Sequence, residues 1–236
     1  MLGGRAYAPG MTDLQGAVVL VAGASGGLGS RIAAQLSDQG AVVVRAGRAG
    51  GALTGPDAYV ADLRETGGGA SLVAAALQAH GRLDGVVVAA GVVGFGPADA
   101  VSDEALDELV QTNLLAPVRL LRDASEALAA SAAAGREPFA VTISGVVAES
   151  PTAGMAAYSA AKAGLAAWVS AASREFRRRG VRLVDARPGH TETGLATRPI
   201  TGEAPSFPTG LDPDAVAARI VRAIVDGEKD LPSTSF

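Results

Sequence analysis

A doubly wound α/β fold, one domain of six or seven parallel strands with helices on both faces, is predicted by three features of the chain. Short β-branched runs are apolar throughout, longer amphipathic or Ala-rich segments separate them, and 236 residues at 48% hydrophobic content suffice to bury a large core. Strands covered on both faces lose the apolar–polar alternation of a one-sided sheet, and parallel neighbours need a long crossover, usually a helix.

Residues 1–12 read as a flexible leader, with Met11 as an alternative start, and residues 13–236 as the domain. Strands are expected at "AVVLVA" (17–22), "AVVVRA" (41–46), "AYVA" (58–61), "DGVVVAA" (84–90), "FAVTIS" (139–144) and "VRLVDAR" (181–187). Helices are expected between them at 29–40, 70–81, 103–135 and 156–180. The third ends in "EALAASAAAG", which reads as helix rather than linker because Ala is the best helix former and Gly the commonest residue just past a helix end.

Composition excludes several function classes. The chain has no Cys, which removes disulfides, thiol nucleophiles and thiolate metal sites, and no His or carboxylate cluster has metal-ligand spacing. A net charge of -4 opposes a nucleic-acid partner, and the one basic cluster, "REFRRRG" (174–180), reads as a solvated helix C-terminus. No apolar run is long enough to span a bilayer and the N-terminus lacks a signal sequence, so a cytoplasmic protein with no membrane partner is expected.

After the first strand comes "AGASGGLGS" (22–30), opening the first helix. Gly23, Gly27 and Gly29 allow a tight turn that brings backbone N–H groups and the positive end of a helix dipole to a pyrophosphate. The Gly-x-x-x-Gly-x-Gly spacing resembles that of the short-chain dehydrogenase/reductase family, with Ala22 where the family usually has Thr. The resemblance implies a Rossmann-type dinucleotide domain in which Ser25, Leu28, Asp62, Leu63, Ala90 and Gly91 also border the coenzyme. An acid ending the second strand would hold the ribose 2′-hydroxyl of NAD, whereas "VVVRAGRAG" offers Gly47 there, with Arg48 or Arg45 nearby to pair with a 2′-phosphate. NADP(H) is therefore expected over NAD(H).

The chain contains three Tyr and two Lys, yet "GMAAYSAAKAG" places Tyr158 and Lys162 one helical turn apart, where side chains are neighbours. Hydride transfer to a carbonyl carbon leaves an alkoxide, so an acid must deliver a proton to the oxygen. Tyr has an ordinary pKa near 10, and a neighbouring ammonium stabilises its phenolate. The family's motifs recur in order from residue 13 to about 225: the glycine loop, Asp62, "VVVAAG", Asn113, Ser144, Tyr158, Lys162 and "ARPGHTET". The resemblance makes Tyr158 the acid/base, Lys162 the group that lowers its pKa and holds the nicotinamide ribose, and Asn113 a local disturbance of its helix that completes a proton relay. By the same resemblance Pro188, Gly189, Thr191 and Thr193 cover the nicotinamide.

Three departures stand out. Counting back from Tyr158 puts Gly145 where the family has its substrate-binding Ser, with Ser144 one residue early. Because a one-residue shift on a strand turns a side chain to the opposite face, either the following loop absorbs an extra residue and Ser144 orients the substrate oxygen, or the site lacks that donor. The first is expected, since loops tolerate insertions, with Ser150 and Thr152 in reserve. Val88 and Ala89 replace a pair of Asn that braces the family's sheet, and the C-terminus lacks the usual Gly-Gly tail, which puts a seventh strand in question.

The function expected is an NADP(H)-dependent oxidoreductase interconverting a carbonyl and a secondary alcohol in a small, mainly apolar substrate, walled by residues 92–98, 146–157 and 190–210. A catalytically decayed coenzyme-binding protein and an epimerase or dehydratase on the same scaffold are the alternatives. His190 reads as a loop bystander. Small-residue faces on the last two long helices predict a homodimer or homotetramer.

Overall fold

The computed structural model describes residues 11–48 and 53–236. Residues 1–10 of the expected leader lie outside these. Thr12, also assigned to the leader, is buried, donates its N–H to Val225 O at 2.9 Å and accepts from Arg182 at 2.8 Å. These bonds tie Thr12 to Val225 and Arg182.

Six strands form: β1 (Val18–Ala22), β2 (Val42–Gly47), β3 (Ala58–Val60), β4 (Gly85–Val88), β5 (Phe139–Ile143) and β6 (Arg182–Ala186). They pair in parallel, as the apolar runs predicted, in the order β3-β2-β1-β4-β5-β6. Among the described residues no seventh strand forms, and Leu231 makes only an isolated bridge to Ala186. The chain winds outward from β1 through β2 to β3, then crosses back to β4. The C-terminal ends of β1 and β4 thus flank a crevice, the place where doubly wound sheets bind ligands.

The helices are α1 (Gly27–Asp38), α2 (Gly68–His80), α3 (Asp103–Val110), α4 (Ala116–Ala133), α5 (Ala156–Arg178) and α6 (Pro213–Val225). On one face α1 and α6 bury Ile32, Leu36, Ile220 and Ile224 against the sheet; on the other, α2, α4 and α5 bury Leu72, Leu120, Leu128 and Leu165. Each such side chain contributes about 1.5–3 kcal/mol when buried, so both faces are held by the same non-directional force.

The single helix expected over 103–135 is interrupted. Residues Gln111–Leu115 form a π-helical turn in which the Ala116 N–H reaches back to Gln111 O. Pro117, lacking an N–H, cannot donate to the carbonyl four residues earlier, which is that of Asn113. The Asn113 side chain adds a second perturbation, donating to Leu109 O one turn earlier at 3.0 Å. The disturbance expected of Asn113 is therefore present, with proline and amide as joint causes.

Candidate active site

The glycine loop is built on close approach. A β-carbon on Gly23, whose φ is +85°, would lie 2.5 Å from Ala90 N, and one on Gly29 would lie 2.2 Å from Gly23 O. Neither position admits any other residue without moving backbone, so the loop packs directly on the end of β4 and α1 starts at its crest.

Above this loop lies a cavity of about 960 Å3 that runs the width of the crevice. Of the residues expected at the site, Gly23, Ser25, Gly27, Leu28, Arg48, Asp62, Leu63, Ala90, Gly91, Ser144, Tyr158, Lys162, Pro188, Gly189, Thr191 and Thr193 all border it. Gly29 and Asn113 are buried behind its wall. One end is charged: Arg64 donates to both Asp62 oxygens, at 2.5 Å from its terminal nitrogen, and to Glu108 at 2.8 Å, while Arg48 lies 4.0 Å from Glu108. The Arg64 guanidinium holds the Asp62 carboxyl below its usual range. The other end is apolar, lined by Val93, Phe95, Val147, Met155, Leu195 and Phe207, which come from the three segments expected as walls.

Tyr158 and Lys162 meet between the two ends. The first turns of α5 put both on the cavity side, with the Lys162 ammonium 5.8 Å from the centre of the Tyr158 ring and donating to Ile143 O at 2.7 Å. Lys162 is buried, and loss of water brings its pKa down to about 8, with the Asp185 charge opposing the fall. Burial pushes the Tyr158 phenol the other way, to about 12. As they stand, the pair holds a neutral phenol and an ammonium poised near physiological pH. A positive charge arriving beside the phenol would bring its pKa back down.

Asn113 braces this centre. Its amide donates to Val92 O at 3.0 Å and its carbonyl accepts from Val92 N at 3.2 Å, while a β-carbon on the adjacent Gly91 would lie 3.1 Å from Asn113 Oδ1 and 3.6 Å from Lys162 Nζ. With Val88 and Ala89 carrying no polar side chain, this reciprocal pair fixes the strand end beside Lys162.

Ser144 corrects an expectation. Its hydroxyl is wholly buried and donates to Asp185 Oδ2 at 2.5 Å, so it does not serve the cavity as a donor. Gly145, the next residue, has φ +76° and ψ 167°, backbone that is essentially open to glycine alone. Of the reserve donors Thr152 borders the cavity, and its hydroxyl is 3.3 Å from Ser150 O.

Three residues, Asp185, Arg64 and Glu108, escaped sequence reasoning. Asp185, buried on β6, accepts from Thr142 at 2.7 Å and Ser144 and faces Arg187 at 3.3 Å. A lone Asp in an apolar strand was the available signal. His190, within the segment expected as a wall, stacks its ring on Phe207 at 4.6 Å and borders the cavity. Arg64 and Glu108 belong to the charged end through tertiary contact alone. Among the described residues no acidic or His cluster is set to hold a metal, and no helix is long and apolar enough to cross a membrane.

The profile of the short chain dehydrogenase family matches residues 17–203. The 3-oxoacyl-acyl-carrier-protein reductase FabG of Vibrio cholerae is 30% identical over 194 residues, 78% of this chain and 77% of that one. An uncharacterised oxidoreductase of Mycobacterium tuberculosis is 33% identical over 89% of this chain and 79% of its own length. In fold, the chain superimposes on 3-ketoacyl-(acyl-carrier-protein) reductase from Brucella melitensis, solved in complex with NADH, with a TM-score of 0.82 at 23% identity, covering 93% of this chain and 97% of that one. The paired Tyr158 and Lys162 beneath a glycine-loop crevice and the profile match over most of the domain lead to one conclusion: the chain belongs to the short-chain dehydrogenase family of oxidoreductases, which act on CH–OH and C=O groups.

Proposed function

We propose that this chain is an NADP(H)-dependent oxidoreductase that interconverts a carbonyl and a secondary alcohol in a small, mainly apolar substrate. The observation that carries the reading is the Tyr158–Lys162 pair at the junction of a glycine-lined crevice and an apolar chamber. The residues present fit a dinucleotide. Close-packed glycines at 23 and 27 hold the loop against Ala90 and Thr193 along the cavity, the N-terminus of α1 faces a pyrophosphate position, and Arg48 with no acid at Gly47 suits a 2′-phosphate.

When bound, the nicotinamide supplies or accepts hydride and, in its oxidised form, brings a positive charge. Pro188, Gly189, Thr191 and Thr193 would hold it from above, and Lys162 its ribose. Tyr158 gives a proton to the carbonyl oxygen in reduction and takes one from the hydroxyl in oxidation. Lys162 holds an ammonium against the phenol, stabilising the phenolate, and Asn113 keeps Gly91 and Val92 in register beside it. The walls formed by Phe95, Met155 and Phe207 exclude water from the reacting atoms.

Titration of NADPH by its fluorescence, followed by absorbance assays with a panel of ketones and aldehydes, tests this. Binding with turnover that vanishes in Tyr158→Phe is the expected result. Failure to bind either NADPH or NADH would overturn it. A second reading, a coenzyme-binding protein with impaired catalysis, is favoured by one observation: Ser144 is committed to Asp185 and Gly145 has no side chain to replace it. That reading expects tight NADPH binding with no turnover across the panel.

A further inference from the structure

The charged end of the cavity contains an acid that the coenzyme reading does not use. Glu108 projects from α3 toward two arginines from different loops. Its Oε2 accepts from Arg64 at 2.8 Å and its Oε1 lies 4.0 Å from Arg48, the cation expected to meet a ribose 2′-phosphate. Arg64 is already engaged by both oxygens of Asp62. Among the described residues Glu108 is the only acid paired with both cations. All four groups border the same cavity.

We propose that Glu108 sets coenzyme discrimination: its carboxylate is the resident counter-ion of Arg48 and Arg64, and a 2′-phosphate binds only by displacing it. This rests on reading the cavity as a dinucleotide site. A ribose phosphate carries a charge of about -1.5 to -2. Set against the Arg48 guanidinium, it would meet the Glu108 carboxylate about one side chain away and lose part of the attraction. A ribose with hydroxyls alone brings no charge and leaves the clamp intact. The contest is open because the Arg48 side chain is 59% exposed, and pairs so exposed are weak and salt-sensitive.

The test is Glu108→Gln in the full chain, with NADPH and NADH titrated by fluorescence and no turnover required. NADPH is expected to bind about fivefold tighter than to wild type, the change that loss of an exposed pair yields, with NADH unaltered. The gain is expected to fade at high salt and to vanish when Arg48→Ala is added. Glu108 is partly exposed at a cavity rim, and an unchanged melting temperature confirms that the variant folds. An equal effect on both coenzymes, or none, would overturn the proposal while leaving the dinucleotide reading intact. Failure of wild type to bind either coenzyme would sink that reading and this one with it.

Discussion

Replacing Lys162 by Met should make the protein more stable while removing its activity. The fall in the Lys162 pKa from 10.5 to about 8 corresponds to about 3 kcal/mol of penalty on the buried ammonium, at about 1.4 kcal/mol per tenfold change in proton affinity. Met keeps the length and apolar stem but loses the bond to Ile143 O, worth about 1 kcal/mol or somewhat more. The net expectation near pH 7 is a gain of about 1–2 kcal/mol, or roughly 3–6 °C in Tm for a chain of this size. The folded-state pKa lies below the unfolded value, so between about pH 8 and 10.5 the unfolded chain binds more protons. Wild-type stability therefore rises with pH across that window, whereas the full cost is present below it. The advantage of Lys162→Met should accordingly be largest near pH 7 and mostly gone by about pH 9.5. Urea unfolding of both proteins at the two pH values, with unchanged slope, reads this directly. A variant less stable than wild type near pH 7, or a gap that does not move with pH, would refute the reasoning.

Other substitutions probe the neighbours of this pair. Asp185→Asn weakens the acceptor of Thr142, Ser144 and Arg187 inside the sheet and should cost about 3 kcal/mol in urea unfolding. It should also move the Lys162-dependent limb of the pH–rate profile downward, because the Asp185 charge is what holds that pKa up. Ser144→Ala should lower stability by about 1 kcal/mol and leave kcat within a few-fold of wild type; a hundredfold loss would mean the hydroxyl does reach substrate. Gly145→Ser should destabilise by about 1–3 kcal/mol, since its backbone sits where side chains are not tolerated, measurable as a drop in Tm. Light scattering is expected to report a homodimer or homotetramer, and a monomer would contradict the small-residue faces of α4 and α5.

Periodicity and local spacing are properties a sequence carries on its face. The apolar runs that became β1 to β6, the glycine loop before α1, and Tyr158 one turn before Lys162 were all legible, because each is a pattern between residues near in the chain. The break at Asn113 was also local, although the contribution of Pro117 emerged only with the π-helical turn. What tertiary structure alone decided lies across elements. Whether Ser144 faces substrate depended on Asp185, 41 residues away on the neighbouring strand, offering a carboxylate at 2.5 Å. Arg48, Arg64 and Glu108 lie on three segments that meet only when β2, β3 and α3 are packed around one crevice. The pKa values of Tyr158 and Lys162 were set by burial, which no residue possesses alone. The chain specifies its periods, but desolvation and long-range pairing exist only after folding has chosen each group's neighbours.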